Sequence, residues 1–239
     1  MSSSLKPIYL LADSQLLFWR EDGILFLDSV KDLIANQPAR AAYIGASNGD
    51  HRDYYSIFET AMANIGIDHC RMIPSAFSTD DAEFLNQADV ILLAGGDVER
   101  GWNIIKQNGV VEAVIERYYK GAILMGVSAG AVQLGLFGWP ESPPTLDNLI
   151  DTFKLVPFIV SAHDEARQWQ QLQEAILLLG GSLQGLGIPT GGGLRYHPDR
   201  TIEPIRFSVY EVSVRAGSIV QTLLVPGNGD DIETTALVC

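Results

Sequence analysis

Short, unbroken apolar runs alternate regularly along this chain with segments of helical periodicity, and no other feature restricts its fold as much. Pro7-Ile-Tyr-Leu-Leu-Ala12, Arg40–Gly45, His69–Ile73, Ala88–Ala94 and Ala122–Gly126 read as buried strands. Between them, Ile24–Ala35 and Tyr54–Ile65 carry apolar residues at helical spacing. Thr79-Asp80-Asp81 caps a short helix through Leu85, and a helical stretch in two pieces flanks Gly109. Strands apolar on both faces must be covered on both faces, which is the condition of a parallel sheet. Right-handed crossovers then predict a three-layer, doubly wound α/β fold. At 239 residues the chain is expected to form a single domain, residues 1–239.

Beyond residue 136 the pattern changes. Prolines 140, 143 and 144 remove backbone donors and fix φ, so Gly138–Pro144 is expected to be irregular. Leu155–Ser161 reads as another strand. Asp164–Leu179 reads as an amphipathic helix with Trp169, Leu172, Ala175, Ile176 and Leu179 on one side. The C-terminal part is β-rich, with strands expected at Leu186–Ile188, Gly193–Tyr196, Phe207–Val214 and Ile219–Val225. The alternation in Arg206–Val214 predicts a half-exposed antiparallel strand, which leaves pairing across a homodimer open.

Charge narrows the partners. Sixteen Lys and Arg stand against 29 Asp and Glu, a net charge of −13, so phosphate backbones and anionic membrane surfaces are both disfavoured. No apolar run approaches the roughly 20 residues that span a bilayer. Met1-Ser-Ser-Ser-Leu-Lys6-Pro7 lacks a signal-peptide core, so a cytoplasmic protein is expected. Cys70 and Cys239 form no CxxC pair or Cys/His cluster, which argues against a disulfide scaffold and a zinc site.

Gly126-Val-Ser128-Ala-Gly130 matches G-x-S-x-G, a pattern that arises by chance in roughly one chain of this size in ten. Its context is more specific: a buried strand precedes it and small residues suited to a helix start follow. That is the strand-turn-helix of a nucleophile elbow, in which a strained serine projects Oγ from the sheet edge. Side chains at the flanking glycines would collide with strand and helix. The Ala129 N–H at the helix start can donate to an oxyanion. Gly95-Gly96-Asp97 ends the preceding strand at the same carboxyl edge, so Gly96 can offer a second N–H. Asp97 either caps the next helix or meets a substrate amine.

A serine nucleophile needs a base. Of His51, His69, His163 and His197, only His163 ends a strand and precedes a helix, which places it at the sheet edge with Ser128.

With these pieces in order, the sequence resembles the S51 serine peptidases, the family of dipeptidase E and cyanophycinase. The resemblance rests on Leu93-Ala-Gly-Gly-Asp97, Met125-Gly-Val-Ser-Ala-Gly-Ala131 and Leu155-Val-Pro-Phe-Ile-Val-Ser-Ala-His163. Gly187-Ile-Pro-Thr-Gly-Gly-Gly-Leu194 matches the family's strand and acidic loop, and the whole spans roughly residues 6 to 225. It implies a fold like class I glutamine amidotransferases and a Ser–His–acid peptidase without metal or cofactor. Ser128 becomes the nucleophile, His163 the base, and Gly96 and Ala129 the oxyanion donors. Arg167 matches the family's basic residue that binds an acidic side chain or carboxylate. For the triad acid, Glu141 is the best match, with Asp147 and Asp151 as alternatives.

This chain departs from that pattern. His163 is followed by Asp164-Glu165-Ala166, Trp169 and Gln171 stand where cyanophycinases carry arginines, and Pro189-Thr190-Gly-Gly-Gly193 lacks the family's carboxylates. The expected activity is hydrolysis of small peptides, dipeptide or isopeptide bonds next to aspartate included. The alternative is a binding or regulatory protein that kept the fold. A generic α/β-hydrolase esterase fits less well, because no HGGG-type loop is present. Trp19, Trp102, Trp139 and Trp169 are expected in the core or an interface, with Trp102 and Trp139 near the catalytic loops.

Overall fold

The computed structural model describes residues 5–35, 38–227 and 234–237; Met1–Ser4 and Cys239 lie outside them. The first strands are β1 (Ile8–Leu11), the two-residue β2 (Arg20–Glu21) and β3 (Ile24–Leu25), β4 (Arg40–Ile44), β5 (His69–Ile73), β6 (Val90–Leu93) and β7 (Ile123–Val127). They alternate with helices α1 (Asp28–Lys31), α2 (Arg52–Ala63), α3 (Thr79–Leu85), α4 (Val98–Gln107), α5 (Val110–Tyr119) and α6 (Ala129–Leu134). The pairs β5–β4, β4–β6, β6–β7 and β7–β1 are all parallel. The later strands β12 (Gly193–Tyr196) and β13 (Ile202–Ile205) extend this sheet antiparallel beyond β1, giving seven strands in the order β13-β12-β1-β7-β6-β4-β5.

The continuous apolar runs do what their pattern requires. In β1, Ile8 and Leu10 enter one core with Leu124, Leu93, Trp102 and Val114, while Tyr9 and Leu11 enter the opposite core with Met125, Leu92, Phe58 and Met62. All four β1 residues are fully buried, so helices cover both faces of this sheet.

The remaining strands form the first departure from expectation. After the short pair β8 (Phe137–Gly138) and β9 (Ile150–Asp151), strand β10 (Ile159–Ala162) does not join the parallel sheet. It opens a second sheet of five strands in the order β10-β11-β14-β15-β16, with β11 (Gly185–Ile188), β14 (Val209–Arg215), β15 (Ser218–Leu224) and β16 (Thr234–Leu237). Val160, Leu186, Ile188 and Val209 pack into the core shared with the large sheet, and α7 (Gln170–Leu178) covers the other face through Leu172, Ala175 and Ile176. β14 lies between β11 and β15, so the strand expected to be free for a dimer is already paired on both sides.

Three local expectations are also corrected. Ile24–Ala35 is not one helix: Asp22-Gly23 takes positive φ at both positions and turns a β2–β3 hairpin, leaving only α1 helical. The cap of α3 is Ser78 rather than Thr79, in a capping box with Asp81. The helix expected from Asp164 starts at Gln170, because Gln168 and Trp169 are both left-handed. No helix among the described residues is long and apolar enough to cross a membrane.

Candidate active site

Strand β7 delivers Ser128 into a backbone state that few residues adopt, φ 49° and ψ −109°. Its N–H is held by Leu11 O at 2.8 Å. The glycines on either side are sterically required: a Cβ on Gly126 would lie 2.6 Å from the Gly130 carbonyl, and one on Gly130 would lie 2.2 Å from Leu93 O. Helix α6 thus starts directly against β6 and β7, and the Ala129 N–H belongs to its first turn, where no intrahelical acceptor exists. On the neighbouring loop, Gly96 sits at φ 134°, and a Cβ there would fall 2.2 Å from Ser47 O. Only glycine fits that position.

His163 arrives from the second sheet. Helix α6 packs against both β7 and β10, which brings the ends of strands in two different sheets to one place. His163 N–H donates to Ile188 O at 2.9 Å, and the residue has φ 47°. Its Nε2 lies 2.7 Å from Ser128 Oγ. Two residues in strained backbone facing each other are a functional signature. The other histidines are elsewhere: His51 caps α2, His69 lies on the edge strand β5, and His197 pairs with Glu203 at 2.7 Å.

The loop after His163 is fixed from beneath. Trp169 is buried against β11, where a Cβ on Gly187 would meet its ring at 2.4 Å, and it contacts Tyr210. Asp164 is largely buried and pairs with Arg167 at 3.4 Å, while its Oδ2 has no hydrogen-bond partner among the described residues. Burial raises the Asp164 carboxyl above its ordinary value, against the pull of Arg167 and His163. Glu165 accepts from the Thr190 N–H at 3.2 Å. Burial pushes Glu165 up, but hydrogen bonds from Thr190 and the nearby His163 outweigh it, so its carboxyl is held low.

Glu141 is exposed and shares a cavity with His163, yet no hydrogen bond joins them among the described residues. Asp147 is exposed in a turn, and Asp151 pairs with Lys154 at 2.7 Å. Asp97 caps α4 by accepting from Arg100 N–H at 2.8 Å, and it also lines that cavity. Arg167 lines it too, with its charge directed to Asp164. Trp139 is at its wall, donating to Gln171 Oε1 at 3.2 Å, whereas Trp102 is in the core against Phe153. Trp19 packs at the margin of the opposite core.

Ser128 and His163 lie between this cavity and a second one. The second has a volume of about 320 Å³ and runs under β1, β4 and α2. The sequence reading did not anticipate its residues, Asp13, Leu17, Tyr43, Asn48, Ile57 and Phe58 among them. Their one available signal was position: Asp13 lies just past β1 as Ser128 lies just past β7, and the two strands are neighbours. No group of three or more His, Cys, Asp or Glu among the described residues is placed to hold a metal ion.

A serine on an elbow, a histidine at hydrogen-bond distance and two amide-bearing loops define a serine hydrolase site. Comparison with known proteins makes the class specific. The model of Peptidase family S51 matches residues 10–203, and the chain belongs to that family. It is therefore a serine-type peptidase. Peptidase E of Streptomyces coelicolor is 27% identical over 177 residues, covering 69% of this chain and 70% of the relative. A crystal structure of a peptidase from an acI-B1 Actinobacterium superposes with a TM-score of 0.69 at 14% identity, covering 99% of each chain. A putative Peptidase E of Listeria monocytogenes EGD-e gives 0.63 at 15% identity, covering 86% of this chain and all of that one.

Proposed function

We propose that this protein hydrolyses small peptides through an acyl-enzyme on Ser128. The observation that carries the reading is the 2.7 Å approach of Ser128 Oγ and His163 Nε2 at a strained elbow. Ser128 Oγ attacks the scissile carbonyl carbon while its proton passes to His163 Nε2. The Gly96 and Ala129 N–H groups receive the developing oxyanion. The imidazolium then returns the proton to the leaving amine as the C–N bond breaks. Water, deprotonated by His163, releases the acyl group.

Imidazolium formation calls for negative charge nearby. His163 pulls down the carboxyls of both Asp164 and Glu165, so the three groups are close enough to interact. The β11–β12 loop, where the family resemblance leads one to expect an acid, has none of its own and instead holds Glu165 through Thr190. This supports Asp164 and Glu165 as stabilisers of the imidazolium in place of Glu141. Two cavities beside the serine suit a short peptide, and the net charge of −13 favours such a substrate over nucleic acid.

The test is a panel of α-Asp and β-Asp dipeptides, neutral dipeptides and β-Asp-Arg, run with wild type and Ser128→Ala. Amino acid release by wild type alone supports the reading. Equal, negligible release from both argues for a binding role instead.

A further inference from the structure

We propose, on the basis of the serine-peptidase reading of Ser128, that the 320 Å³ cavity beneath β1, β4 and α2 is a side-chain pocket for a large apolar residue adjoining the scissile bond, and that it rejects aspartate. The pocket is walled by Leu17, Tyr43, Ile57, Phe58 and Leu92, and it opens directly onto Ser128 and His163. Leu17, Tyr43, Phe58 and Leu92 are buried, so they form a floor set by the core itself rather than by mobile surface side chains. An apolar cavity of about 150 Å³ already accepts benzene, so a phenyl or leucyl side chain fits here.

The carboxylate of Asp13 and the amide of Asn48, which line this pocket, are engaged within the protein. Asp13 Oδ1 accepts from Gln15 N–H at 2.8 Å and Oδ2 from Gly191 N–H at 2.7 Å. Asn48 Nδ2 donates to the Tyr43 hydroxyl at 2.8 Å. No Lys or Arg is among the lining residues. A substrate carboxylate entering here would lose its hydration, meet no cation and face the Asp13 charge. The opposite cavity complements this one. Its wall carries Asp97, Glu141 and Asp164 against the single cation Arg167, which is paired with Asp164, so it suits the ammonium of a peptide and not an acidic side chain. The acidic-substrate role that the family resemblance gives Arg167 therefore has no pocket to serve.

The experiment compares kcat/KM for Phe-Ala, Ala-Phe, Ala-Ala and Asp-Ala. One Phe peptide should exceed Ala-Ala at least about tenfold, the usual worth of filling an apolar pocket, with Asp-Ala the slowest. Whichever Phe peptide wins identifies the side of the bond that the pocket reads. Ile57→Arg, on the half-buried face of α2, should lower the Phe preference and raise hydrolysis of Asp-Ala. A second readout is independent of turnover: aminoalkyl boronic acids bearing a benzyl or a carboxymethyl group bind as tetrahedral adducts of a competent serine. Calorimetry should show tighter binding of the benzyl compound to wild type. Preference for Asp-Ala, or equal rates across the panel with equal boronate affinities, overturns the pocket while leaving the peptidase reading standing, provided Ser128→Ala is dead. Absence of turnover and of boronate binding in wild type overturns both.

Discussion

The backbone at Ser128 is fixed by neighbouring backbone, whereas Glu141, on the rim of a cavity shared with His163, is exposed and makes no hydrogen bond among the described residues. Around the serine, carbonyl oxygens and helix backbone leave no room for a Cβ at position 126 or 130, and Leu11 O fixes the amide. Around the glutamate, the loop 140–149 is irregular, beginning at Pro140 and containing Pro143 and Pro144. The place of Ser128 is therefore specified by short-range sterics that only a few residue types satisfy. Around His163 several carboxylates compete, Asp164 and Glu165 next to it in sequence and Glu141 from another loop, and the fold decides between them.

This contrast can be broken by mutation. The largest effect is expected at the chemistry: Ser128→Ala or His163→Ala should lower kcat/KM at least about 10³-fold on any peptide that wild type cleaves. Next comes Gly130→Ala, whose methyl would overlap Leu93 O; urea unfolding should show a loss of about 3 kcal/mol. Glu141→Gln in the same assay should stay within about 0.5 kcal/mol, as a solvated side chain does. Comparable losses in the two variants would erase the distinction between the regions.

A finer test separates the carboxylates. Asp164→Asn and Glu165→Gln should each lower kcat/KM by about tenfold, the equivalent of one pKa unit of lost interaction with the imidazolium. Glu141→Gln should change it less than twofold; a larger loss in Glu141→Gln than in the other two would restore Glu141 as the triad acid. Asp164 also gives a pH signature. Its carboxyl is raised in the folded state, so the fold binds the proton more tightly than the unfolded chain does, and stability is lost as pH rises through the folded pKa. Asp164→Asn should therefore equal wild type in stability near pH 3 and exceed it modestly at pH 7, as read by thermal unfolding. The smallest expected effect is none: burial pushes the Cys70 thiol up to about 12, with Glu59 and Asp68 adding to it, so iodoacetamide at pH 7 should leave activity unchanged.

The same contrast explains what could be read from the chain. The parallel strands β1, β4, β6 and β7 were legible because they bury both faces and so carry apolar runs; the edge strand β5 is buried only at Ile73. The elbow was legible because Gly126 and Gly130 are sterically obligatory. The second sheet was not: a short apolar run such as Ile159–Ala162 does not say which sheet it joins, and β10 pairs with β11, the next strand along the chain, instead of joining the large sheet. The helix after His163 is shorter than its amphipathic spacing suggests because Gln168 and Trp169 take left-handed backbone, with the Trp169 ring packed on Gly187. The hairpin at Asp22-Gly23 carried a sequence signal, and the apolar residues around it at helical spacing masked it. The apolar pocket combines residues from the segment after β1 and from β4, β6 and α2, so its existence depends on strand order that no local pattern encodes.

The claim on which the rest depends is that Ser128 is a nucleophile activated by His163. An alkyl fluorophosphonate tests it without knowledge of the substrate: Oγ forms the bond to phosphorus, fluoride leaves, and the serine proton passes to the histidine. Peptide mass spectrometry after labelling at pH 7 should place the adduct on Ser128 in wild type, find none in Ser128→Ala, and show much slower labelling in His163→Ala. Labelling on another residue, or at the same rate in all three proteins, would contradict the account.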